Sequence, residues 1–171
     1  MVENGKTAMD QQAEGSSRRY AGLAEQLTYP QHRDIFRYWL GKFDGDLPPG
    51  RRDIDPIEIG PAILPWIILY AVEWDGGRPR FRFRLVGTGI VQRYDRDSTG
   101  KYFEDVYEAE TLVRQSKAFT EVALNCTPSF AKLQLPVPGR DFISYERLLL
   151  PLAGADEKVE AIMAVMVFAP N

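Results

Sequence analysis

Residues 79–90 decide the fold, and they read Pro-Arg-Phe-Arg-Phe-Arg-Leu-Val-Gly-Thr-Gly-Ile. Charged and apolar side chains alternate here with a period of two, which predicts a half-buried β-strand. The two faces of this strand would carry Arg80, Arg82 and Arg84, and Phe81, Phe83 and Leu85. Gly87 and Gly89 then interrupt the alternation, and because glycine allows positive φ they predict that the chain leaves the sheet there. We therefore expect Gly87→Val to lower the melting temperature.

Composition bounds the class of protein. A chain of 171 residues with 44% apolar content suits one domain around one core. The 21 basic and 24 acidic residues give a net charge of -3, which argues against nucleic-acid binding, so the three arginines are expected to form a solvated face. One cysteine and one histidine exclude an internal disulfide and a Cys/His metal site. With no signal peptide and no apolar run near the roughly 18 residues that span a bilayer, we expect a cytoplasmic protein.

The amino-terminal region divides into a tail and a helix. Residues 1–28 are expected to form a disordered or flexible tail, since residues 1–20 lack periodic apolar positions. A single domain is expected over 29–171, and it begins with an amphipathic helix at 31–43. The apolar side of that helix is heavy for its length, so it predicts a homodimer interface. The predicted interface residues are Ile35, Phe36, Trp39, Leu40 and Phe43, and Trp39→Glu is expected to give a folded monomer.

The remaining segments predict two strands, a helical middle and three further strands. Residues 66–74 are nearly continuously apolar, which is typical of a strand buried on both faces, and Asp75-Gly76-Gly77 predicts a hairpin into the strand at 80–86. Short helical turns are expected over 90–107 and a longer helix over 109–124. The last three strands are predicted at 130–137, 142–152 and 159–169.

These elements indicate an α+β fold with a five-stranded antiparallel sheet. The first and last strands are the most apolar, so residues 67–72 and 162–167 are expected to lie side by side at its centre. The middle helices would cover one face of the sheet. The other face also needs a cover, and the helix at 31–43 is the nearest candidate, either from the same chain or from a second copy.

The element order and several segments resemble a family of small, single-domain PAS proteins found in bacteria. The segments that carry the resemblance are 36–40, 53–56, 83–88, 99–102 and 145–152. The match extends over about 31–168, nearly everything outside the tail. The resemblance implies a sensory or regulatory module without catalysis that is often dimeric and acts through a protein partner.

A small-molecule ligand in such a fold lies between the helical middle and the sheet. The predicted wall residues are Tyr94, Phe103, Phe119, Tyr145 and Met163. Arg84 or Arg147 is predicted to pair with an acidic ligand through a bidentate contact. The alternative is that the aromatic side chains only fill the core.

The sequence argues against the two best-known PAS cofactors. Haem needs a histidine in the helical middle, whereas the single histidine, His32, precedes it. A photoactive flavin needs a cysteine inside a helix with a specific pattern after it, whereas Cys126 is followed by Thr127 and Pro128 at a predicted helix end. No basic neighbour in the sequence lowers the pKa of Cys126, so an inert thiol is expected.

Two other classes of function remain open. A cone-shaped α+β enzyme of the ketosteroid-isomerase kind has a similar length and needs a carboxylate base with a tyrosine donor. Asp95 or Asp97 with Tyr94 or Tyr145 supplies those side chains. The hairpin before the main helix disagrees with the usual order of that fold, so we expect no enzyme. A ligand-free structural adaptor is the other alternative.

Overall fold

The computed structural model describes residues 14–135, 139–140 and 143–170. The helices are α1 Ala21–Ala24, α2 Pro30–Gly41, α3 Pro56–Ile59, α4 Thr88–Tyr94, α5 Phe103–Val106 and α6 Ala109–Asn125. The strands are β1 Ile67–Asp75, β2 Arg78–Val86, β3 Ser129–Gln134, β4 Ser144–Ala153 and β5 Val159–Phe168. Residues 14–19 are also helical. Residues 136–137 and 142 of the predicted strands lie outside the described residues.

The strands form one antiparallel sheet in the order β2-β1-β5-β4-β3. The predicted central pairing is confirmed, because Ile67 lies opposite Val165 and Ala71 lies opposite Ala161. The predicted hairpin is confirmed as well, and Gly76 and Gly77 connect β1 to β2 with φ values of 52° and 81°. The fold is therefore the predicted α+β arrangement of two strands, a helical middle and three strands.

Both faces of the sheet are covered, so the chain has two apolar cores. The inner core lies between the sheet and α4 to α6, and it contains Tyr70, Phe103 and Phe119. The outer core lies between the sheet and the amino-terminal segment, and it contains Trp39 and Leu150. Because side chains alternate along a strand, β4 and β5 contribute to both cores.

The apolar side of α2 packs on the sheet of its own chain. Trp39 is fully buried, and its indole Nε1 donates a hydrogen bond of 3.0 Å to the carbonyl of Pro151 in β4. Ile35, Phe36 and Leu40 are buried in the same core, and Phe43 is partly buried against it. These are the five residues predicted to form the dimer interface. Their burial within their own chain contradicts the reason for that prediction, which was that the apolar side of α2 needed a second copy to cover it. The outer face of the sheet accounts for the surplus apolar surface of α2.

The predicted tail differs from the structure between residues 14 and 28. Tyr20 and Leu27 are buried in the outer core, and the Tyr20 ring lies 5.8 Å from the ring of Trp39. Together with Leu23 and Ala24, which pack against the same core, they follow the i, i+3, i+4, i+7 spacing of an amphipathic helix, a short signal that the sequence interpretation missed. Residues 1–13 of the predicted tail lie outside the described residues.

A bulge in β2 changes the predicted alternation. Phe81 and Phe83 are buried in the inner core as predicted, but Leu85 is 51% exposed. Tyr70 of β1 lies opposite Phe83 and Leu69 lies opposite Leu85, so Arg84 is an extra residue that moves Leu85 to the opposite face. Two of the three arginines that were expected to form a solvated face of β2 form ion pairs instead, Arg80 with Glu104 and Arg82 with Glu73.

The two glycines after β2 are required for space rather than for positive φ. Gly87 has a φ of -61°, and a Cβ atom placed on it would overlap the backbone carbonyl group of Pro65. A Cβ atom on Gly89 would come within 2.8 Å of the Trp66 ring. The prediction that the chain leaves the sheet here is therefore confirmed, but close packing is the cause.

Candidate functional site

A groove of about 910 Å³ lies between α6 and the edge strand β3, on the inner side of the sheet. Gln115 and Ala118 of α6 line one side, Ala131 and Leu133 of β3 line the other, and Arg147 of β4 also lines it. The two alanines have short side chains, and they leave the space above Arg147 open. The groove is within the size range of small-molecule sites in proteins, about 300–1,000 Å³.

Arg147 is a buried cation in this groove. Its side chain points to the inner face of the sheet, and the residue is only 5% exposed. Its Nη1 donates a hydrogen bond of 2.5 Å to Oε1 of Gln115, and its guanidinium carbon lies 5.1 Å from the centroid of the Phe119 ring. Within the described residues no carboxylate forms an ion pair with Arg147, and its Nε has no hydrogen-bond acceptor.

Four tyrosines extend from Arg147 into the inner core. Tyr107 and Tyr70 lie close enough to influence each other's pKa, and so do Tyr94 and Tyr145. Burial raises the pKa of each of the four hydroxyls, while the charge of Arg147 acts in the opposite direction on Tyr70, Tyr107 and Tyr145. These groups therefore stay protonated at neutral pH, as hydrogen-bonding phenols.

The family model of the PAS domain matches residues 27–167 of the sequence. This chain belongs to the PAS domain family. The match covers most of the chain and includes β1 to β5, so the predicted resemblance is confirmed. Sensory and regulatory roles are general to PAS domains. None of the curated proteins matches the sequence significantly.

Two solved structures are similar to this PAS domain. One is the PAS domain of BvgS from Bordetella pertussis, with 14% sequence identity and a TM-score of 0.46, over 61% of this chain and 77% of that chain. The other is the N-terminal domain of a diguanylate cyclase with a PAS/PAC sensor from Marinobacter aquaeolei. It has 13% identity and a TM-score of 0.44, over 60% of this chain and 94% of that chain.

Of the predicted ligand-binding residues of the PAS domain, Arg147 lines the groove, whereas Tyr94, Phe103, Phe119 and Tyr145 do not line it. Tyr94, Phe103, Phe119, Tyr145 and Arg147 all lie on the inner side of the sheet, in or beside the inner core. Arg84 does not, because it is the bulged residue of β2 and is exposed.

Met163 is also misplaced by the sequence interpretation. It is 1% exposed, but it belongs to the outer core beneath the amino-terminal segment. Its neighbours Ile162 and Ala164 point to the inner core. Since nearly every residue of β5 is apolar, the sequence did not reveal which alternate set faces the helices.

Gln115 is a site residue that the sequence interpretation missed. Leu112, Phe119, Val122 and Ala123 follow helical spacing on the side of α6 that packs on the inner core, and Gln115 falls on the same side. It is 6% exposed. A glutamine on an apolar helix face needs a polar partner, and this pattern was the available signal.

The carboxylates proposed for an isomerase-like enzyme lie outside the groove. Asp97 accepts hydrogen bonds from the side chain and backbone of Thr99, and these bonds lower the pKa of its carboxyl group. The Asp95 side chain is 83% exposed. A general base in an apolar pocket needs a buried carboxylate whose pKa is raised, so neither residue has the environment of one.

Metal binding needs several ligating side chains close together, and a reactive cysteine needs a lowered thiol pKa. Among the described residues, no group of three or more His, Cys, Asp or Glu side chains is placed to hold a metal ion. Burial raises the pKa of the Cys126 thiol, which does not favour a reactive thiolate. None of the helices within these residues has the length and apolarity required to cross a bilayer.

His32 lies in the outer core, on the opposite side of the sheet from the groove. It is fully buried, and its Nε2 donates a hydrogen bond of 2.9 Å to the carbonyl of Val165. Its Nδ1 lies 3.9 Å from Oε2 of Glu146, whose other oxygen is 3.2 Å from the Lys132 ammonium. Burial lowers the pKa of His32 below its usual 6.5, although the Val165 carbonyl and Glu146 act in the opposite direction.

Neutral His32 should make the stability of the fold depend on pH. In the pH range between the lowered pKa of folded His32 and 6.5, the unfolded chain binds a proton more readily than the folded chain does. The contribution of His32 to the free energy of unfolding is therefore complete above pH 6.5 and is lost as the pH falls through this range. One proton gives a slope of at most about 1.4 kcal/mol per pH unit. Urea unfolding from pH 8 to pH 5 should show this decrease in the wild type and not in His32→Gln, whose amide can also donate to Val165. Parallel curves for the two proteins would exclude His32 as the cause.

Proposed function

We propose that this PAS domain is a non-catalytic sensory module that binds a small molecule in the groove between α6 and β3. The observation that carries the proposal is the buried guanidinium of Arg147, which has no carboxylate partner among the described residues. Burying a charge without an opposite charge costs free energy. A buried side chain that destabilises the fold without a compensating stabilising contact is typical of a functional site.

The contacts that the described residues make with Arg147 do not offset that cost. Gln115 supplies one neutral acceptor and Phe119 supplies the face of one ring, whereas a guanidinium carries five N–H donors. The groove beside it is open and is walled by short side chains. A ligand that reaches Arg147 would provide the missing acceptors, so binding would stabilise the folded state.

A non-catalytic role is favoured by the chemistry of the inner core. Its tyrosines are held protonated by burial, and the two aspartates considered as bases are outside it. We therefore propose that binding is read by a protein partner in a cytoplasmic signalling pathway. A homodimer is still a prediction, and it requires a surface other than the apolar side of α2.

Native mass spectrometry of protein purified from cells tests this proposal. The wild type should retain a small molecule that is released on denaturation, and Ala131→Leu should retain much less because the larger side chain fills the groove. Ala109→Leu is the matched control, since Ala109 is exposed at the start of α6. It should retain the molecule as the wild type does.

The ligand-free adaptor predicts a different result. In that case neither the wild type nor Ala109→Leu carries an additional mass, and a library of metabolites raises the melting temperature of neither protein. That pair of results would contradict the proposed sensor. Equal retention by Ala131→Leu and the wild type would place the ligand outside the groove.

A further inference from the structure

We infer that the ligand of the groove is a small organic acid whose carboxylate pairs with Arg147. This inference rests on the proposed function, and it adds the chemical class of the ligand. It follows from three features of the groove, which are its charge, the geometry of the guanidinium and the predominance of apolar surface over polar surface in its walls.

The charge of the groove favours an anion. Three cations line it, Arg114 of α6, Lys132 of β3 and Arg147 of β4, whereas none of the described residues that line it is an aspartate or a glutamate. Gln115 uses its amide oxygen to accept from Arg147, which leaves the two N–H donors of its amide nitrogen for other contacts. Arg147 and Gln115 thus present mainly donors to a ligand, and a carboxylate accepts from several donors at once.

The geometry of Arg147 suits a planar, bidentate partner. Gln115 fixes one corner of the guanidinium through Nη1, and the Phe119 ring lies 5.1 Å from its carbon. The N–H of Nε has no acceptor among the described residues. Because that nitrogen is itself buried, the donors left for a carboxylate are those of the terminal nitrogens Nη1 and Nη2, whose parallel N–H groups match its two oxygens. Gln115 is accordingly a positioning residue for Arg147.

The rest of the groove indicates the chemical character of the part of the acid beyond its carboxylate. Ala118, Ala131 and Leu133 line it with apolar surface, which exceeds its polar surface although Lys132, Gln134 and Ser144 also line it, and its volume of about 910 Å³ exceeds the needs of a very small anion. The ligand is therefore an acid with an apolar body, and an inorganic anion would leave most of the groove unfilled. Binding would bury the apolar part against the alanines and the charge against Arg147.

Matched probes test this class directly. Octanoate and benzoate have nearly the same shapes as octanamide and benzamide but carry a charge, so titration calorimetry on the whole chain compares each acid with its neutral amide. The wild type should bind the acids at least about tenfold more tightly, which corresponds to about 1.4 kcal/mol. Arg147→Gln should lose this preference, and Arg147→Lys should keep part of it. Arg84→Gln removes the same charge from an exposed position outside the groove and should bind as the wild type does.

A second readout separates a functional Arg147 from a structural one. Without ligand, Arg147→Met should melt at a higher temperature than the wild type, because a buried charge with no carboxylate partner in the described part of the chain is replaced by an apolar side chain of similar length. A large decrease in melting temperature would show that Arg147 is needed for folding, and it would count against the inference.

The outcomes also distinguish this inference from the proposed function. Equal affinity for acids and amides, or inorganic phosphate binding as tightly as the acids, would overturn the carboxylate assignment. If a neutral molecule is retained by both the wild type and Arg147→Gln in native mass spectrometry but lost from Ala131→Leu, the sensor stands and the organic acid does not. If no molecule is retained and no probe binds, both are wrong.

Discussion

Replacing Trp39 with alanine should lower the free energy of unfolding by about 4 kcal/mol, the range for deleting a large buried aromatic side chain. Trp39 has no exposed surface, and its ring lies 5.8 Å from Phe36 and 4.7 Å from Phe43. The substitution also leaves the Pro151 carbonyl without its hydrogen bond. Urea unfolding followed by circular dichroism measures the loss, and Trp39→Glu should be worse because it buries a charge.

Two control variants show whether the effect comes from packing against the sheet. Trp39→Phe keeps an aromatic ring but loses the bond to Pro151, so it should lose less stability than Trp39→Ala. Ile57→Ala removes an apolar side chain that is 89% exposed, and it should change the free energy of unfolding by less than about 0.5 kcal/mol. If Trp39→Ala were as stable as the wild type and changed only the oligomeric state, the dimer interface predicted from the sequence would be restored.

The second large effect is expected at Gly87, where alanine should cost about 3 kcal/mol and valine more. A single added Cβ atom meets the Pro65 carbonyl group and would lie 2.9 Å from the carbonyl oxygen of Ile67. Both obstacles are backbone, so rotation of a side chain does not relieve them. The Gly87 amide also donates a hydrogen bond of 2.8 Å to Ile67, which would be strained by any displacement. Thermal unfolding measures the loss.

Gly41→Ala is the matched control for this prediction. Gly41 is the last residue of α2, and a Cβ atom placed on it has no heavy atom within 4 Å. Alanine is a better helix former than glycine, so this variant should be as stable as the wild type or slightly more stable. A Gly87→Ala protein with an unchanged melting temperature would contradict the close packing between the end of β2 and the chain before β1.

The strands show where sequence periodicity succeeds. Alternation in β2 correctly predicted that Phe81 and Phe83 are buried, because a strand with one polar face has one solution for its orientation. It failed at Leu85, since the bulge at Arg84 depends on how β2 pairs with Leu69 and Tyr70 of β1. A bulge of this kind is a property of two strands, and the sequence of one strand does not contain it.

The candidate site was predicted only in part, because some of its contacts also depend on residues that are distant in sequence. Tyr145 and Arg147 were assigned to the helix side of the sheet, and the structure places both there. Gln115 was missed because its role depends on Arg147, which is 32 residues away in sequence. Met163 was assigned to the wrong face because β5 is apolar on both sides.

The sequence by itself determined that this chain has a five-stranded antiparallel sheet with two central strands that must be covered on both faces. Apolar content and periodicity are enough for that conclusion, because they report how much surface must leave water and which residues share a face. Only the tertiary structure decided that the amino-terminal segment covers the outer face within its own chain, and that Arg147 meets Gln115 in the groove on the inner face. A period of two says which residues lie together but not which partner they face, and in strands that are apolar on both sides only the packed molecule makes that choice.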